Sequence, residues 1–302
     1  MKKPTIAVLG GINVDLVIRC SSLPKPGETV KGISYSHFPG GKGANQAVAA
    51  AKLGGKVVML GAVGTDEFGT DLIRGMGDIS IDNSHVKRVA EFPTGTAFII
   101  VDEKGQNLIS FVGGANDTID EALIDNAEQD IKKADVFLVQ LECPVNIVEY
   151  GIKKAASLDV PVIFNPAPAV PLSDGIIACC EAVMPNESEA EALTGCKVCD
   201  TKSAQRAAHL LVEMGCKAAI ITLGENGAYL YKPDCYDEII PAPEVNAVDA
   251  VAAGDVFAGA FSVRFGIGDN LRNAVIYANK AAAISTTRNG AQTSIPEAEM
   301  IK

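Results

Sequence analysis

The chain has 302 residues, of which 48% are hydrophobic, and its 26 Lys and Arg against 37 Asp and Glu give a formal net charge of −11. This length and hydrophobic content predict a globular domain with a sizeable core. The acidic balance, without a block of consecutive basic residues, argues against binding to nucleic acid or to an anionic membrane surface. No uncharged apolar run of about 18 residues occurs, so no membrane span is expected.

The N-terminal segment begins like a secretory signal. Met1-Lys2-Lys3 precedes an apolar run, but Gly10-Gly11, Asn13 and Asp15 interrupt it and no small-residue cleavage site follows. We therefore predict a first β-strand here.

The eight cysteines are sparse and irregularly spaced, which argues against a disulfide scaffold and favours a reducing cytoplasm. Cys196 and Cys199 have the C-x-x-C spacing of some zinc and redox sites. Because the chain has only three histidines, we predict free thiols rather than such a site.

Short β-branched apolar segments alternate with longer amphipathic segments along the chain, which is typical of parallel strands joined by crossover helices. The predicted strands are 6–9, 57–60, 136–139, 160–164, 182–184 and 218–222, and the predicted helices are 45–53, 119–133, 145–158, 203–214 and 271–287. Several strands are apolar throughout, as expected where helices cover both faces of a sheet. The sequence predicts an α/β fold with a central, mostly parallel sheet.

Three segments have a different pattern, in which residues alternate or form hairpins: 15–20, 28–37 and 95–112. In the third, residues 102–105 end in glycine and predict the turn of a hairpin between 95–101 and 107–112. Such strands do not easily join the parallel sheet, so we expect a small separate β-sheet that forms a lid over the active-site face. No linker divides the chain, which predicts a single domain, 1–302, with lid strands inserted around 15–37 and 95–112.

Two common nucleotide-binding motifs are absent. A G-x-x-x-x-G-K-[ST] motif around Lys42 fails because position 36 is Ser and position 43 is Gly. No G-x-G-x-x-G follows the first strand, where Gly10-Gly11-Ile12-Asn13 stands. Walker-type and Rossmann sites are therefore disfavoured.

Segment 249–257, Asp-Ala-Val-Ala-Ala-Gly-Asp-Val-Phe, leads into an apolar helix that ends near Gly266. Small residues at 252–254 allow consecutive backbone N–H groups to converge at a helix N-terminus, where the helix dipole favours an anion such as phosphate. Asp255, in the first turn, has two interpretations. It caps the helix, or it is a base that accepts a hydroxyl proton beside a phosphoryl group.

Segment 39–46, Pro-Gly-Gly-Lys-Gly-Ala-Asn-Gln, is a glycine-dense loop that opens a helix. It is either a tight turn or a loop whose backbone approaches a ligand, with Lys42 and Asn45 as donors to hydroxyl oxygens. Asn13 and Asp15 occupy alternate positions and so lie on one face of a strand. Paired donors and acceptors of this kind suit a polyhydroxylated substrate such as a sugar.

Together, these two segments resemble the paired motifs of the ribokinase-like, or phosphofructokinase B type, sugar kinases. Further matches, spread over the chain in the order found in the family, are 140–142, 165–169, 185–191, 221–224 and 288–296. The resemblance implies the family fold and transfer of the ATP γ-phosphoryl group to a sugar hydroxymethyl, with the 5-hydroxymethyl of D-ribose as the expected acceptor. It also implies a homodimer formed through the lid.

Roles for individual residues follow from this resemblance. Sugar hydroxyls are expected to contact Asn13, Asp15, Gly41, Lys42, Asn45, Glu142 and Asp255. Asp255 is the expected base, and the amides of Ala252, Ala253 and Gly254 are the expected anion hole. ATP and Mg²⁺ are expected at Asn186, Glu189, Thr222, Gly224, Gly227 and Asn279, since Mg²⁺ keeps several waters and takes few direct protein ligands. A monovalent cation, typically K⁺, is expected at Asp249, Ser294 and the carbonyls of Val251, Ser285, Arg288 and Gly290, although 288–290 also suits a plain helix-ending turn.

The chain departs from the family pattern at three positions. Ala250 and Val256 stand where the family commonly has Thr, and Asn279 stands where close members place His. We expect these changes to affect rate and nucleotide preference rather than the chemistry itself.

Two alternatives stay open. One is a kinase of another pentose or of a nucleoside, such as 2-deoxyribose or adenosine. The other is a non-catalytic sugar-binding regulator, although binding alone would not require Asp255.

Overall fold

The computed structural model describes residues 3–301; Met1, Lys2 and Lys302, which the predicted limits 1–302 include, lie outside the described residues. The strands are β1 (Thr5–Leu9), β2 (Asn13–Cys20), β3 (Gly32–Gly40), β4 (Lys56–Gly64), β5 (Asp82–Val89), β6 (Gly95–Val101), β7 (Asn107–Val112), β8 (Val136–Val139), β9 (Val162–Phe164), β10 (Ala182–Val183), β11 (Ala218–Thr222), β12 (Ala228–Lys232) and β13 (Tyr236–Ile240). The helices are α1 (Lys42–Lys52), α2 (Glu67–Asp78), α3 (Glu121–Asn126), α4 (Glu128–Lys133), α5 (Val145–Ser157), α6 (Glu187–Thr194), α7 (Thr201–Glu213), α8 (Ala253–Ile267) and α9 (Leu271–Thr286).

The large sheet has the strand order β13-β12-β11-β10-β9-β8-β1-β4-β5. Its pairings are parallel except for those of β12 with β11 and with β13. Along β1, Ile6 and Val8 belong to a core shared with α1, α8 and α9, while Ala7 and Leu9 belong to the core on the opposite face. This two-sided burial explains why the strand is apolar throughout. The predicted α/β fold with a mostly parallel sheet is confirmed.

A separate sheet has the order β3-β2-β6-β7. Only residues 10–12 separate the end of β1 from the start of β2. The lid sheet therefore begins directly at the carboxyl end of a central strand. In the β6–β7 hairpin, Gly105 has a φ of 77°, and Asp102 Oδ1 accepts the N–H groups of Lys104 and Gln106 at 2.9 Å. The small separate sheet and its hairpin turn are confirmed.

Several elements differ from the prediction. The single helix expected over 119–133 is wrong, because α3 and α4 are separate helices that meet at Ala127. The strand expected over 28–37 begins and ends later, as β3. Helices α2 and α6 and strands β5, β12 and β13 are not among the predicted elements; β5 is a polar, partly exposed edge strand, so it lacks the continuous apolar run that predicts a strand. Among residues 3–301, no helix is both long and apolar enough to cross a bilayer.

Candidate active site

The polar segments singled out in the sequence meet at one edge of the large sheet. Strands β11, β10, β9, β8 and β1 are adjacent and parallel, and each is followed directly by one of these segments. The edge formed by the carboxyl ends of parallel strands is where ligands bind in open α/β sheets. Helices α1 and α8 begin at two of the predicted ligand loops, and both pack on the same face of the sheet.

Asp255 is 6% exposed and does not cap its own helix. The N-cap of α8 is Ala252, which has a left-handed backbone (φ 61°, ψ 8°) and makes no side-chain cap bond. The Asp255 carboxylate instead accepts hydrogen bonds from Asn45 Nδ2 at 3.1 Å and from Gln46 Nε2 at 3.0 Å. The capping interpretation of Asp255 is therefore wrong.

A glycine on α8 explains how the carboxylate reaches α1. Gly259 lies one helical turn beyond Asp255 and so on the same face of the helix. A Cβ at Gly259 would lie 2.8 Å from Gln46 O and 2.7 Å from Ala49 Cβ. The missing side chain lets the two helix backbones approach closely enough for Asp255 to contact Asn45 and Gln46.

The first turn of α8 carries open backbone donors. The N–H of Ala253 bonds to Ala250 O at 3.2 Å, and the N–H of Val256 bonds to Ala252 O at 2.9 Å. Within residues 3–301, the N–H groups of Gly254 and Asp255 have no acceptor. Unpaired N–H groups at a helix N-terminus favour an anion, but Ala253, one of the three predicted donors, is already hydrogen-bonded.

The glycine-dense loop packs against the loop that follows β1. Gly41 has a φ of 88°, and a Cβ there would lie 2.6 Å from Gly11 O. A Cβ at Gly43 would lie 2.5 Å from the carbonyl carbon of Gly10. These glycines are needed for the two loop backbones to approach each other, so Gly43 serves packing, and Gly41 does so in addition to its expected contact with the sugar.

Glu142 and Asn13 form a second polar cluster beside Asp255. Glu142 Oε2 accepts the Lys42 backbone N–H at 2.8 Å and Asn13 Nδ2 at 3.2 Å. Asn13 Oδ1 accepts from Asn116 Nδ2 at 2.8 Å, and Asn116 Oδ1 accepts the Ile12 N–H at 3.1 Å. Asn116 orients Asn13 but is not among the predicted site residues; its place just after β7, in the segment 113–116 (Gly-Gly-Ala-Asn), is the signal that could have found it.

The ionisable groups of the cluster shift one another's pKa values. Burial, and then the nearby Asp255 carboxylate, raise the pKa of Asp15 to about 6. Burial raises the pKa of Glu142 to about 7, although the Lys42 amide and ammonium act in the opposite direction. Burial likewise raises the pKa values of Asp255 and Glu189. Burial alone would lower the pKa of Lys42, but the carboxylates of Asp255, Glu142 and Glu189 raise it overall.

Asn186 and Glu189 form a capping box at the start of α6. Asn186 Oδ1 accepts the Glu189 N–H at 2.9 Å, and Glu189 Oε2 accepts the Asn186 N–H at 2.9 Å. This local structural role was not foreseen. Glu189 is nevertheless coupled electrostatically to Lys42 and Asp255, so the start of α6 belongs to the same cluster.

The other residues expected at the nucleotide lie on neighbouring loops. Thr222 pairs with Asn186 through an isolated parallel bridge, and Gly224 and Gly227 have φ values of 55° and 94° in the turn after β11. Asn279 is buried on α9, where its Nδ2 donates to Ile240 O at 2.9 Å. Asn279 therefore anchors the end of β13.

The segments expected to bind a monovalent cation are tied together by Asp249. Its Oδ1 accepts the Val251 N–H at 3.0 Å, and its Oδ2 accepts the Gly290 N–H at 2.9 Å. The carbonyl of Ser285 accepts the Arg288 N–H at 3.1 Å, so residues 285–288 form a turn at the end of α9, and residues 288–290 are bends. The carbonyls of Val251, Arg288 and Gly290 accept no hydrogen bond within the described part of the chain. Ser285 and Ser294 are buried, and their hydroxyls donate to Ala282 O and Ala291 O.

All eight cysteines are free thiols. Cys196 Sγ faces Ser203 O, and Cys199 Sγ lies 3.8 Å from Ser203 Oγ. In residues 3–301, no group of three or more His, Cys, Asp or Glu residues is placed to hold a metal.

Known proteins resemble this chain over nearly its whole length. The pfkB family carbohydrate kinase model matches residues 3–298. A ribokinase of Haemophilus influenzae is 40% identical over 97% of this chain and 96% of its own, and a deoxyribokinase of Salmonella typhi is 39% identical over the same shares. The structure of Arabidopsis thaliana ribokinase complexed with ribose and ATP superposes with a TM-score of 0.93 at 29% identity, covering 99% of this chain and 98% of that one. The chain belongs to the pfkB family of carbohydrate kinases.

Proposed function

We propose that this enzyme is an ATP-dependent ribokinase that transfers the γ-phosphoryl group of ATP to the 5-hydroxyl of D-ribose, giving ribose 5-phosphate. The observation that carries the proposal is Asp255, a buried carboxylate held by two side-chain amides at a helix N-terminus with open N–H donors. Mere sugar binding would not require this arrangement. Curated ribokinases at 40% and 41% identity support ribose as the acceptor.

The sugar site of the proposal consists of Asn13, Asp15, Gly41, Lys42, Asn45 and Glu142. Glu142 Oε2 is engaged by Lys42 and Asn13, which leaves Oε1 as an acceptor for a sugar hydroxyl. The side chain of Asp15 lies against Gly40, where a Cβ would be 2.5 Å from the carboxylate. Two carboxylates and several N–H donors suit a free polyol, which offers both hydroxyl hydrogens and oxygens.

Asp255 is the base of the proposed reaction. Asn45 and Gln46 donate to its two oxygens and favour the ionised form, which has a free lone pair to accept the proton of the sugar hydroxyl. The open N–H donors of the α8 first turn, with Gly254 among them, would stabilise the charge that develops on the phosphoryl group. Lys42 adds positive charge close to Asp255. Closure of the lid sheet would exclude water and suppress ATP hydrolysis.

The residues near the start of α6 fit Mg²⁺ bound through water. Glu189 is a buried carboxylate within the charge cluster, and only its Oε2 is used in the capping box. Mg²⁺ prefers oxygen ligands and keeps several waters. When bound with ATP, it would neutralise charge on the phosphates, while Asn186 and Glu189 position its water shell. Thr222, Gly224, Gly227 and Asn279 are the proposed nucleotide contacts.

The 249–252 and 288–294 segments fit a monovalent cation. Carbonyl oxygens without hydrogen bonds at Val251, Arg288 and Gly290 lie on segments that Asp249 holds together, and hard cations prefer such oxygen ligands. K⁺ there would supply fixed positive charge beside the first turn of α8. Asp249, which accepts the Val251 N–H, would help to hold the next residue, Ala252, in its left-handed conformation.

We further propose a homodimer formed through the lid. One face of the lid sheet carries large apolar side chains exposed to solvent, among them Ile109 at 61% and Phe111, two positions along β7, at 46%. A contiguous exposed apolar surface of this kind marks an interface, and a second lid is its expected partner. The cytoplasmic location expected from the cysteine pattern stays a prediction.

Phosphorylation of 2-deoxyribose is the second candidate, because the Salmonella typhi deoxyribokinase is as similar as the ribokinases. A coupled assay of ADP release with ribose, 2-deoxyribose, fructose and adenosine tests both. We expect the highest kcat/KM with ribose. A higher kcat/KM with 2-deoxyribose would favour the second candidate, and no turnover with any sugar would contradict both.

A further inference from the structure

A chain of buried side-chain amides lies behind the Asp255 carboxylate. Gln46 Nε2 donates to Asp255 Oδ1 and to Asn165 Oδ1, both at 3.0 Å. Gln140 Nε2 donates to Gln46 Oε1 at 2.6 Å, and Asn165 Nδ2 donates to Met184 O at 2.8 Å. Gln46 and Gln140 are both fully buried. These amides come from α1 and from the ends of β8 and β9, so the chain connects three elements to the base.

The direction of every bond in this chain follows from its two ends. The Met184 carbonyl and the Asp255 carboxylate only accept hydrogen bonds. Asn165 must therefore turn its NH₂ towards Met184, which leaves Asn165 Oδ1 as an acceptor. Gln46 must then direct its own NH₂ at both Asn165 and Asp255.

Gln140 completes this orientation at a cost. Its NH₂ occupies the only oxygen of Gln46, while Gln140 Oε1 is the one buried side-chain polar atom without a hydrogen-bond partner in the described part of the chain. An unpaired buried acceptor destabilises the folded protein. If Gln46 turned over, its oxygen would face both the Asp255 carboxylate and Asn165 Oδ1, and both acceptors would lose their donor. The arrangement therefore holds Gln46 in the one orientation that supports Asp255.

The surroundings of Asp255 make the Gln46 donor important for the ionised form of the carboxylate. Burial raises the pKa of Asp255, while Lys42, Asn45 and Gln46 lower it. The carboxylates of Asp15, Glu142 and Glu189 lie close enough for Asp255 to raise the pKa of each. A general base among three further carboxylates needs specific donors to be ionised at the working pH.

We infer that Gln46 is a positioning residue for phosphoryl transfer, which keeps the Asp255 carboxylate ionised and fixed in rotation, with Gln140 donating to the remaining oxygen of Gln46. The inference rests on the proposed function, in which Asp255 is the base. Gln46 itself touches neither sugar nor nucleotide in this assignment. It acts on the rate of transfer through Asp255 rather than on binding.

The test uses the full chain with Gln46→Met, which keeps side-chain length and removes the donors. We expect kcat to fall by about 10- to 100-fold, as for a small misplacement of a reacting group. KM for ribose should stay within about threefold, since binding contacts are retained. The acid limb of the kcat–pH profile should move up by about one pH unit, because the ionised base loses a charge-assisted hydrogen bond.

Two further variants separate positioning from loss of packing. Gln140→Met removes the hydrogen bond to Gln46 Oε1 but keeps the Gln46 donors, so we expect a smaller fall in kcat and a smaller upward shift of the acid limb. This variant also tests the inference if Gln46→Met does not fold. Val48→Ala removes a buried side chain from the same helix α1 without touching the chain of amides. It should lower Tm and leave the pH profile unmoved. If Gln46→Met and Gln140→Met behave like Val48→Ala, the inference is overturned.

A second measurement does not depend on turnover. The carboxyl ¹³C signal of Asp255, assigned by its loss in Asp255→Asn, can be titrated in the wild type and in both glutamine variants. A higher midpoint in Gln46→Met supports the inference, and an unchanged midpoint overturns it. Because this titration needs no sugar, it gives an answer even if the ADP-release assay contradicts the proposed function.

Discussion

The side-chain amide of Asn45 donates a hydrogen bond to the Asp255 carboxylate at 3.1 Å, although 210 positions separate the two residues in the chain. The bond joins the glycine-dense loop at the start of α1 to the open N-terminus of α8. Asn45 Oδ1 in turn accepts from Gln292 Nε2 at 3.2 Å, within the segment expected to bind a monovalent cation. One amide thus connects the proposed sugar, phosphate and cation sites.

Asp255→Asn should lower kcat by about 10²- to 10⁴-fold, because an amide cannot accept the hydroxyl proton as a carboxylate does. Ribose affinity, measured by isothermal titration calorimetry, should change by less than about threefold, since the amide retains the size of the side chain. Asp174→Asn, on an exposed loop, is the control. A kcat within about tenfold of the wild type would contradict the assignment of Asp255 as the base.

Gly259→Ala should separate α1 from α8. The new Cβ would lie 2.8 Å from Gln46 O, and overpacking of this kind costs about 1–3 kcal/mol. We expect a lower Tm and a reduced kcat, because Asp255 moves away from Asn45 and Gln46. Gly75→Ala, in α2, is the matched control: nothing lies within 4 Å of its Cβ position, so it should be neutral or stabilising by about 0.5–1 kcal/mol. An unchanged Tm and kcat in Gly259→Ala would show that the close helix contact is dispensable.

Glu142→Gln should change how stability depends on pH. The pKa of Glu142 rises from 4.5 to about 7 on folding, so its contribution to stability is present below pH 4.5 and is lost as pH rises through 7. We expect the variant and wild type to have similar Tm values at pH 4.5, and the variant to melt about 2–4 °C higher at pH 8. Thermal unfolding without ligands measures this, with the exposed Glu213→Gln as control. A Tm difference that does not vary with pH would contradict the prediction.

Asp249→Asn should weaken the tie between the two proposed cation-binding segments. The wild type is expected to be activated by K⁺ by about fivefold or more, as is common for effectors, and the variant should lose most of that activation. Initial rates in KCl and in tetramethylammonium chloride at equal ionic strength test this. Equal rates of the wild type in both salts would mean that no functional cation site exists at these residues.

Ile109→Lys should disrupt the proposed lid dimer, because a charge would be buried against an apolar surface. Sedimentation velocity should show the wild type as a dimer and the variant as a 31.4 kDa monomer. Leu210→Lys, at an exposed position on α7, is the control and should stay dimeric. A monomeric wild type would rule out the lid interface.

Much of the fold was predictable because its signals are local. Continuous apolar runs marked β1, β8 and β11, and the glycine at 105 marked the β6–β7 hairpin. Strand β5 was not predicted because an edge strand need not be apolar. The break between α3 and α4 at Ala127 was not predicted because nothing in the local pattern indicates it.

The sequence by itself determined the α/β fold, the lid strands and the family motifs, since burial periodicity and turn chemistry are written in consecutive residues. Only the tertiary structure decided which groups the Asp255 carboxylate contacts. Local chemistry allowed a helix cap, whereas the close packing of α8 on α1 at Gly259 brings the carboxylate to Asn45 and Gln46. Side-chain hydrogen bonds between distant segments depend on how helices and strands pack, and no spacing along the chain encodes that distance.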